Sequence, residues 1–426
     1  MAHRKETLFF ENFGGVKSLT LPFKPFTVLI GPQSVGKSIT AKLLFFFKTL
    51  AWTVYTSASR SQGGTFNENL LKQFGRFFPD PTHGGKASCI SYKTGQTEVV
   101  LKHGGGKRGH WKVEVPSALR KAHSNLKREL TKAGKEQESE IEKIVSRGWD
   151  REEASAEAYW RVVERILPNS YALCRFVPAG RSFYSQIERD VVSFFESASL
   201  DPFMSDFGKF YARLKQSRNV PSKESSAVVA ASALIEAILS GRYAREGQDD
   251  FIYVTDGRKI PAKLWSSGQQ EAQPLTFLLK RFCEGRFRPA TLFIEEPEAH
   301  LFPLSQRYMV ELIALAFNTR APDMQAFLTT HSPYILTTLN NLVQAGQLYN
   351  KKSLSQRKHA RLTKTVPRDR ALLPDQIGAF YMDRHGCRSI IDRETGLIEA
   401  SAIDEVSSSI AIQFDDLLQL DYASSG

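Results

Sequence analysis

The sequence predicts an α/β fold with a mainly parallel core sheet, a small antiparallel β-subdomain and a helical insertion. Three observations predict it. Apolar runs at Phe26–Ile30, Ala290–Glu295 and 324–329 have the length and composition of strands buried on both faces, the pattern of parallel sheets. The first run passes through a Gly-rich turn straight into a helical pattern. Between these runs, residues 117–166 are highly charged and largely free of Gly and Pro, so they read as two or three helices projecting from the body.

Residues 7–10 and 16–23 read as short strands that lead into Phe26–Ile30. A helix follows from Lys37 to about Leu50, with apolar residues at Ile39, Leu43, Leu44, Phe46 and Phe47. Pieces at 89–92, 98–101 and 111–115, separated by Gly-rich turns, read as the small antiparallel sheet. A second helical block runs from Arg181 to about Gly241, and a strand sits at 251–254. The core sheet is thus assembled from both ends of the sequence, with the middle as an insertion. The expected units are an N-terminal lobe at 1–115, a helical insertion at 116–245, a second lobe at 246–345, and a basic linker with an acidic C-terminal region at 346–426.

With 42% hydrophobic and 24% charged residues among 426, the composition is that of a globular chain, which excludes a disordered one. The densest apolar stretch, 43–52, is interrupted by Lys48 and falls short of the roughly 20 residues of a membrane span. The N-terminus has no apolar leader pattern. Cys89, Cys174, Cys283 and Cys387 form no CxxC and read as reduced thiols of a cytoplasmic protein, without a zinc or disulfide framework.

The formal net charge of +12 is unevenly placed. Residues 101–135 hold ten Lys/Arg against two Glu, and 351–370 hold eight against one Asp. The stretch 371–426 reverses this, with ten Asp/Glu against three Arg. Basic segments of this kind suit nucleic acid or an acidic partner, and the acidic end suits something basic; solvated loops and helix faces are the plain alternative.

The sharpest motif is Gly31-Pro32-Gln33-Ser34-Val35-Gly36-Lys37-Ser38, a match to G-x-x-x-x-G-K-[ST] with a strand before it and a helix, starting Lys37-Ser38-Ile39, after it. In such a loop backbone N–H groups point at phosphate oxygens, Lys37 reaches the β/γ-phosphates and Ser38 holds Mg²⁺. An ordinary Gly-rich turn would leave Gly-Lys-Ser at a helix start unexplained. ATP and Mg²⁺ are the expected ligands.

The second motif is Leu292-Phe293-Ile294-Glu295-Glu296-Pro297-Glu298-Ala299-His300-Leu301. A strand ending in two carboxylates puts Glu295 on the metal side and offers Glu296 as the base that polarises an attacking water. Trp265-Ser266-Ser267-Gly268-Gln269 presents a hydroxyl and free N–H groups at a helix start, a place suited to an anion. Thr329-Thr330-His331-Ser332-Pro333 follows an apolar strand, where His331 can contact a γ-phosphate. Arg181, in Phe176-Val177-Pro178-Ala179-Gly180-Arg181-Ser182, either faces phosphate, bridges subunits or caps a loop.

The order of these motifs resembles the ABC-type ATPases to which SMC, RecF and the OLD-family ATPases belong. Glu11-Asn12-Phe13-Gly14-Gly15-Val16 and Glu-Pro-Glu-Ala-His-Leu look most like the RecF/OLD side, particularly the ATPase subunits of anti-phage systems such as Septu, PARIS and Gabija. The resemblance covers about 1–115 and 250–345. It implies an ABC-ATPase-type P-loop fold and hydrolysis of ATP to ADP and phosphate, which the departure of Glu295 from the usual Asp could slow. Ser266 and Gly268 match the ABC signature, which contacts the γ-phosphate held by another subunit, so the resemblance implies a homodimer or larger homo-oligomer. His331 matches the switch histidine, a catalytic residue beside Glu296. Two departures stand out: Glu295 occupies the place of the usual Asp, where its longer side chain could displace a Mg²⁺-bound water, and Trp265 occupies that of the usual Leu. The Q-loop glutamine has no firm counterpart, with Gln73 the best guess.

Asp375, Asp383 and Asp392 are too scattered to form a nuclease metal site, so the expected role is a sensor ATPase of an anti-phage system that controls a separate effector protein. The basic segments keep open a second reading, a RecF/SMC-like ATPase clamp that binds DNA.

Overall fold

The computed structural model describes residues 5–59, 64–79, 86–105, 109–132, 173–186, 200–216, 225–247, 249–285, 290–322, 324–351 and 353–399, together with 412, 413 and 415. Of the helices expected over 117–166, the described part is Ser117–Lys132; the rest, like much of the acidic end and residues 187–199 of the second helical block, lies outside the described residues.

The chain opens with β1 (Glu6–Phe13), β2 (Val16–Phe23) and β3 (Phe26–Ile30). Strands β4 (Ser88–Thr94), β5 (Thr97–His103) and β6 (Trp111–Glu114) follow after three helices. Along β4, and along β2 from Leu19 onward, burial alternates, the mark of strands packed on one face. These two strands join β1, β5 and β6 in one five-stranded sheet of order β2-β1-β4-β5-β6. The antiparallel sheet expected from 88–115 is therefore larger and includes the first two strands of the chain.

β7 (Leu173–Val177) is followed by β8 (Arg242–Glu246), β9 (Asp249–Tyr253) and β10 (Lys259–Pro261), the last three forming a separate small sheet. β11 (Ala290–Glu295) and β12 (Met324–Thr330) are buried at every position, as strands covered on both faces must be. β13 (Ile377–Met382) and β14 (Cys387–Ser389) complete the core sheet, whose order is β14-β13-β3-β12-β11-β7. All its pairings are parallel except β13 with β14.

This sheet is the α/β core expected, with two additions. β7, which pairs with β11, comes from within the stretch read as a helical insertion. β13, which pairs with β3, comes from the stretch read as linker and acidic end.

Alternation along β3 separates two apolar clusters. Phe26, Val28 and Ile30 face the helices Ser267–Cys283, Pro303–Arg320 and Pro333–Tyr349. Leu29 faces the helix Lys37–Lys48 and the antiparallel sheet. A buried polar network links that sheet to the core: Lys48 Nζ lies 2.6 Å from Glu6 Oε2 and donates to Gln325 Oε1, whose amide nitrogen donates to Glu6 Oε1 at 2.9 Å. Every member has a partner, and removing one ion of such a pair typically costs about 3–5 kcal/mol.

Candidate functional site

The parallel order matters because β12 lies between the Gly31 strand and the Glu295 strand. The C-terminal ends of β3, β12 and β11 therefore open on one side, each followed by a loop that carries chemistry.

The loop Gly31–Ser38 turns through left-handed backbone at Ser34 (φ 59°) and Gly36 (φ 105°) into the helix Lys37–Lys48. A Cβ on Gly31 would stand 2.0 Å from the carbonyl oxygen of Met382, so only glycine fits between this loop and β13. Pro32, Gln33 and Ser34 are exposed at the rim, and Ser38 is exposed at the helix start. Val35 is buried, and Ile39 packs its side chain beside Gly14.

Lys37 folds over its own loop. Its Nζ donates to the carbonyls of Gly31 (2.7 Å) and Pro32 (2.6 Å) and lies 3.3 Å from His331 Nδ1. Burial lowers its pKa to about 8, against the opposing pull of Glu296 and Glu298.

Glu295 ends β11 and is buried. Its Oε2 accepts from the Ala179 N–H at 3.3 Å, and its Oε1 has no hydrogen-bond partner. Burial pushes its pKa up, while the neighbouring Ser38 hydroxyl and Lys42 pull it down. A desolvated carboxylate oxygen without a donor, beside a serine hydroxyl, is the donor set a hard divalent cation takes, so Ser38 and Glu295 fit Mg²⁺.

Glu296 has left-handed backbone (φ 42°), its N–H bonded to Thr329 O at 2.9 Å. That turn swings its side chain out of the strand line, where Oε1 lies 3.1 Å from His331 Nε2. Since Lys37 can only donate, His331 Nδ1 accepts and Nε2 carries the proton toward Glu296. Glu298 fixes the histidine loop: its Oε1 accepts from His331 N–H (2.8 Å) and from Thr330 Oγ1 (2.6 Å), and its Oε2 is buried without a partner.

Ser266 and Gly268 stand elsewhere. Ser266 caps the helix Ser267–Cys283, accepting from Gln269 N–H at 3.3 Å and donating its own N–H to Gln269 Oε1 at 3.0 Å. A Cβ on Gly268 would meet the His300 carbonyl oxygen at 2.7 Å, so this loop packs on the turn that follows Glu296. Trp265 is buried and donates its indole N–H to Ile260 O.

Lys37, Ser38, Glu295, Glu296 and His331 thus meet in one place, while Ser266 and Gly268 do not join them. Gln73 accepts from Thr53, away from these residues. Arg181 neither faces phosphate nor bridges subunits, since its side chain is fully buried. Glu298, Glu271 and the Ala179 N–H were overlooked: Glu298 had its place in the motif as a signal, but the others depend on contacts across the fold.

Residues 207–336 match the family model described as "AAA ATPase domain". No curated protein matches the chain. Solved structures similar to it include an SMC head bound to the C-winged helix domain of ScpA, at 12% identity and TM-score 0.42 over 91% of this chain and 97% of that one. An SMC head domain from Thermotoga maritima matches at 9% identity and TM-score 0.36, covering 91% and 98%. An SMC head domain with an extended coiled coil, bound to the C-terminal domain of ScpA derived from Pyrococcus furiosus, matches at 12% and 0.38, covering 91% and 96%. The likeness to an ATPase domain falls on the stretch that bears Glu295, Glu296 and His331, and the Gly31–Ser38 loop that completes their site lies upstream of it.

Proposed function

We propose that this chain is an ATPase of the ABC type, which binds ATP and Mg²⁺ at the Gly31–Ser38 loop and hydrolyses ATP between two copies of itself. The observation that carries the proposal is the contact line Lys37–His331–Glu296, with Ser38 and Glu295 beside it. Lys37 leaves its loop carbonyls for the β/γ-phosphates. Glu296 accepts the proton of the attacking water, and His331 holds that carboxylate and faces the γ-phosphate. Ser38 and Glu295 would hold Mg²⁺, which would supply charge neutralisation at the phosphate oxygens. Glu295, longer than the usual aspartate, makes turnover slow.

Pairing of two copies is supported by the location of Ser266, whose hydrogen bonds stay on its own helix. Beside the signature, the turn after Glu296 and the His331 loop stand exposed apolar side chains: Leu264 (70%), Phe302 (75%), Leu304 (48%) and Tyr334 (50%). An apolar flank of that kind suits cover by a second copy. Light scattering with ATP tests this. Glu296→Gln should shift to a dimer or larger assembly while Lys37→Ala does not; equal masses for both, with no ATP turnover by wild type, would sink the proposal.

The biological role we infer is that of a sensor ATPase in anti-phage defence, acting on a separate effector, and it rests on the phrase Glu295-Glu296-Pro297-Glu298-Ala299-His300-Leu301. Isolation of the native complex tests it, and a chain that purifies alone without effect on infection counts against it. A second reading, a DNA clamp, is favoured by the helix Gln356–Thr365, which buries none of its residues and presents Arg357, Lys358, Arg361 and Lys364 with no acidic residue. Its mark is duplex affinity that falls steeply with salt.

A further inference from the structure

Arg181 is among the largest fully buried side chains of the described residues, and all its donors are committed. Nη1 donates to Glu295 O (2.6 Å) and Pro178 O (3.1 Å), and Nη2 donates to Glu296 O (2.9 Å). On its other side Nε donates to Glu271 O at 3.1 Å, and Nη2 lies 3.3 Å from Glu271 Oε1. The backbone repeats the bond: Arg181 N–H and Ser182 N–H donate to the two carboxylate oxygens of Glu271, at 2.9 and 2.7 Å.

Glu271 belongs to the helix that Ser266 caps. One guanidinium therefore grips that helix and, on its far side, the two peptide carbonyls that set where Glu295 and Glu296 point. Stability alone does not call for this, because a buried ion pair replaced by apolar groups of similar volume is often neutral. A planar fork that spans three backbone segments is a device of geometry.

We propose that Arg181 is a positioning residue for hydrolysis, through which the seating of the Ser266 helix sets the backbone of Glu295 and Glu296. When a second copy engages Ser266, any shift of that helix passes through Glu271 and Arg181 to the carboxylates. The inference rests on the ATPase reading above and adds a regulator to the same site.

Two full-length variants test it. Arg181→Lys keeps the charge that Glu271 needs, but its donors radiate from one nitrogen and do not span both carbonyls and Glu271. Arg181→Met combined with Glu271→Leu removes both charges and keeps the volume. Each should lower kcat roughly 100-fold, the scale of an ångström of misplacement, while ATP affinity measured without Mg²⁺ stays at the wild-type value because the Gly31–Ser38 loop is untouched. A merely structural role would instead lower affinity and kcat together, or leave both unchanged in a variant that folds; either result overturns the inference. If the double variant does not fold, Arg181→Lys decides alone. Active wild type beside equally active variants defeats this inference only, whereas wild type that hydrolyses no ATP defeats the ATPase reading and this inference with it.

Discussion

His331 Nε2 stands 3.1 Å from Glu296 Oε1, and the same ring's Nδ1 stands 3.3 Å from Lys37 Nζ. One imidazole thus spans the lysine of the Gly31–Ser38 loop and the carboxylate proposed to take the proton. His331→Ala should lower kcat by about 10²- to 10⁴-fold, the usual range for loss of a group serving proton transfer. ATP affinity should change little, because Lys37 keeps its helix and its loop. Steady-state turnover beside equilibrium ATP titration checks this, and a variant that loses affinity in proportion to kcat would place His331 in binding alone.

Lys37 gives the site a pH dependence. Burial holds its pKa at about 8 without nucleotide, and phosphates favour the charged form, so ATP binding should raise that pKa. Above pH 8 binding must take up a proton, and affinity should fall by roughly tenfold per pH unit until the pKa of the bound form is reached. Below about 8 the lysine is already charged and this dependence vanishes. Isothermal titration from pH 7 to 9.5 reads it, and Lys37→Arg should remove the slope.

Glu295 trades stability for chemistry. Its raised pKa means that the ionised form is disfavoured in the fold, so at neutral pH the carboxylate costs stability that protonation would return. Glu295→Gln should therefore raise the thermal midpoint by an amount equivalent to about 1 kcal/mol, while Mg²⁺ no longer strengthens ATP binding. A lowered midpoint would show that the bond to Ala179 N–H outweighs the desolvation of the charge.

Gly268 tests the junction between the Ser266 helix and the turn after Glu296. An added Cβ would lie 2.7 Å from His300 O, which has left-handed backbone of its own to accommodate. Gly268→Ala should cost about 1–3 kcal/mol as overpacking and abolish ATP-dependent assembly, with ATP affinity retained. Unchanged assembly in light scattering would remove this loop from the interface.

The residues that meet at the nucleotide site were legible because each sits at a strand end marked by a local motif: Gly31–Ser38 after β3, Glu295-Glu296 at the end of β11 and His331 after β12. Fully apolar runs marked the central strands for the same reason. β13 escaped because Ile377–Met382 is a short apolar run inside a stretch whose charge drew attention, and its partner β3 lies near the other end of the chain. Arg181 stood out in its motif, but its bonds did not, because nothing local tells a buried, fully bonded arginine from an exposed one. Glu271 and Ala179 have meaning only once the helix and β7 are brought to β11. Periodicity reports which face is covered and says nothing about which backbone carbonyl lies opposite.

β13 gives the nucleotide loop a history. The carbonyl of Met382 presses against Gly31, and Ile377–Met382 flanks the whole of β3. On a ribosome the Gly31–Ser38 loop is made before the wall it leans on, which is translated last among the strands of the core sheet that pair in parallel. Contacts between such distant segments form late and slowly. A nascent chain halted before Ile377 lacks the strand that Gly31 leans on and leaves that edge of β3 unpaired. The shape of the Gly31–Ser38 loop is in this sense a mark of maturity, conferred on it by a strand made long after it.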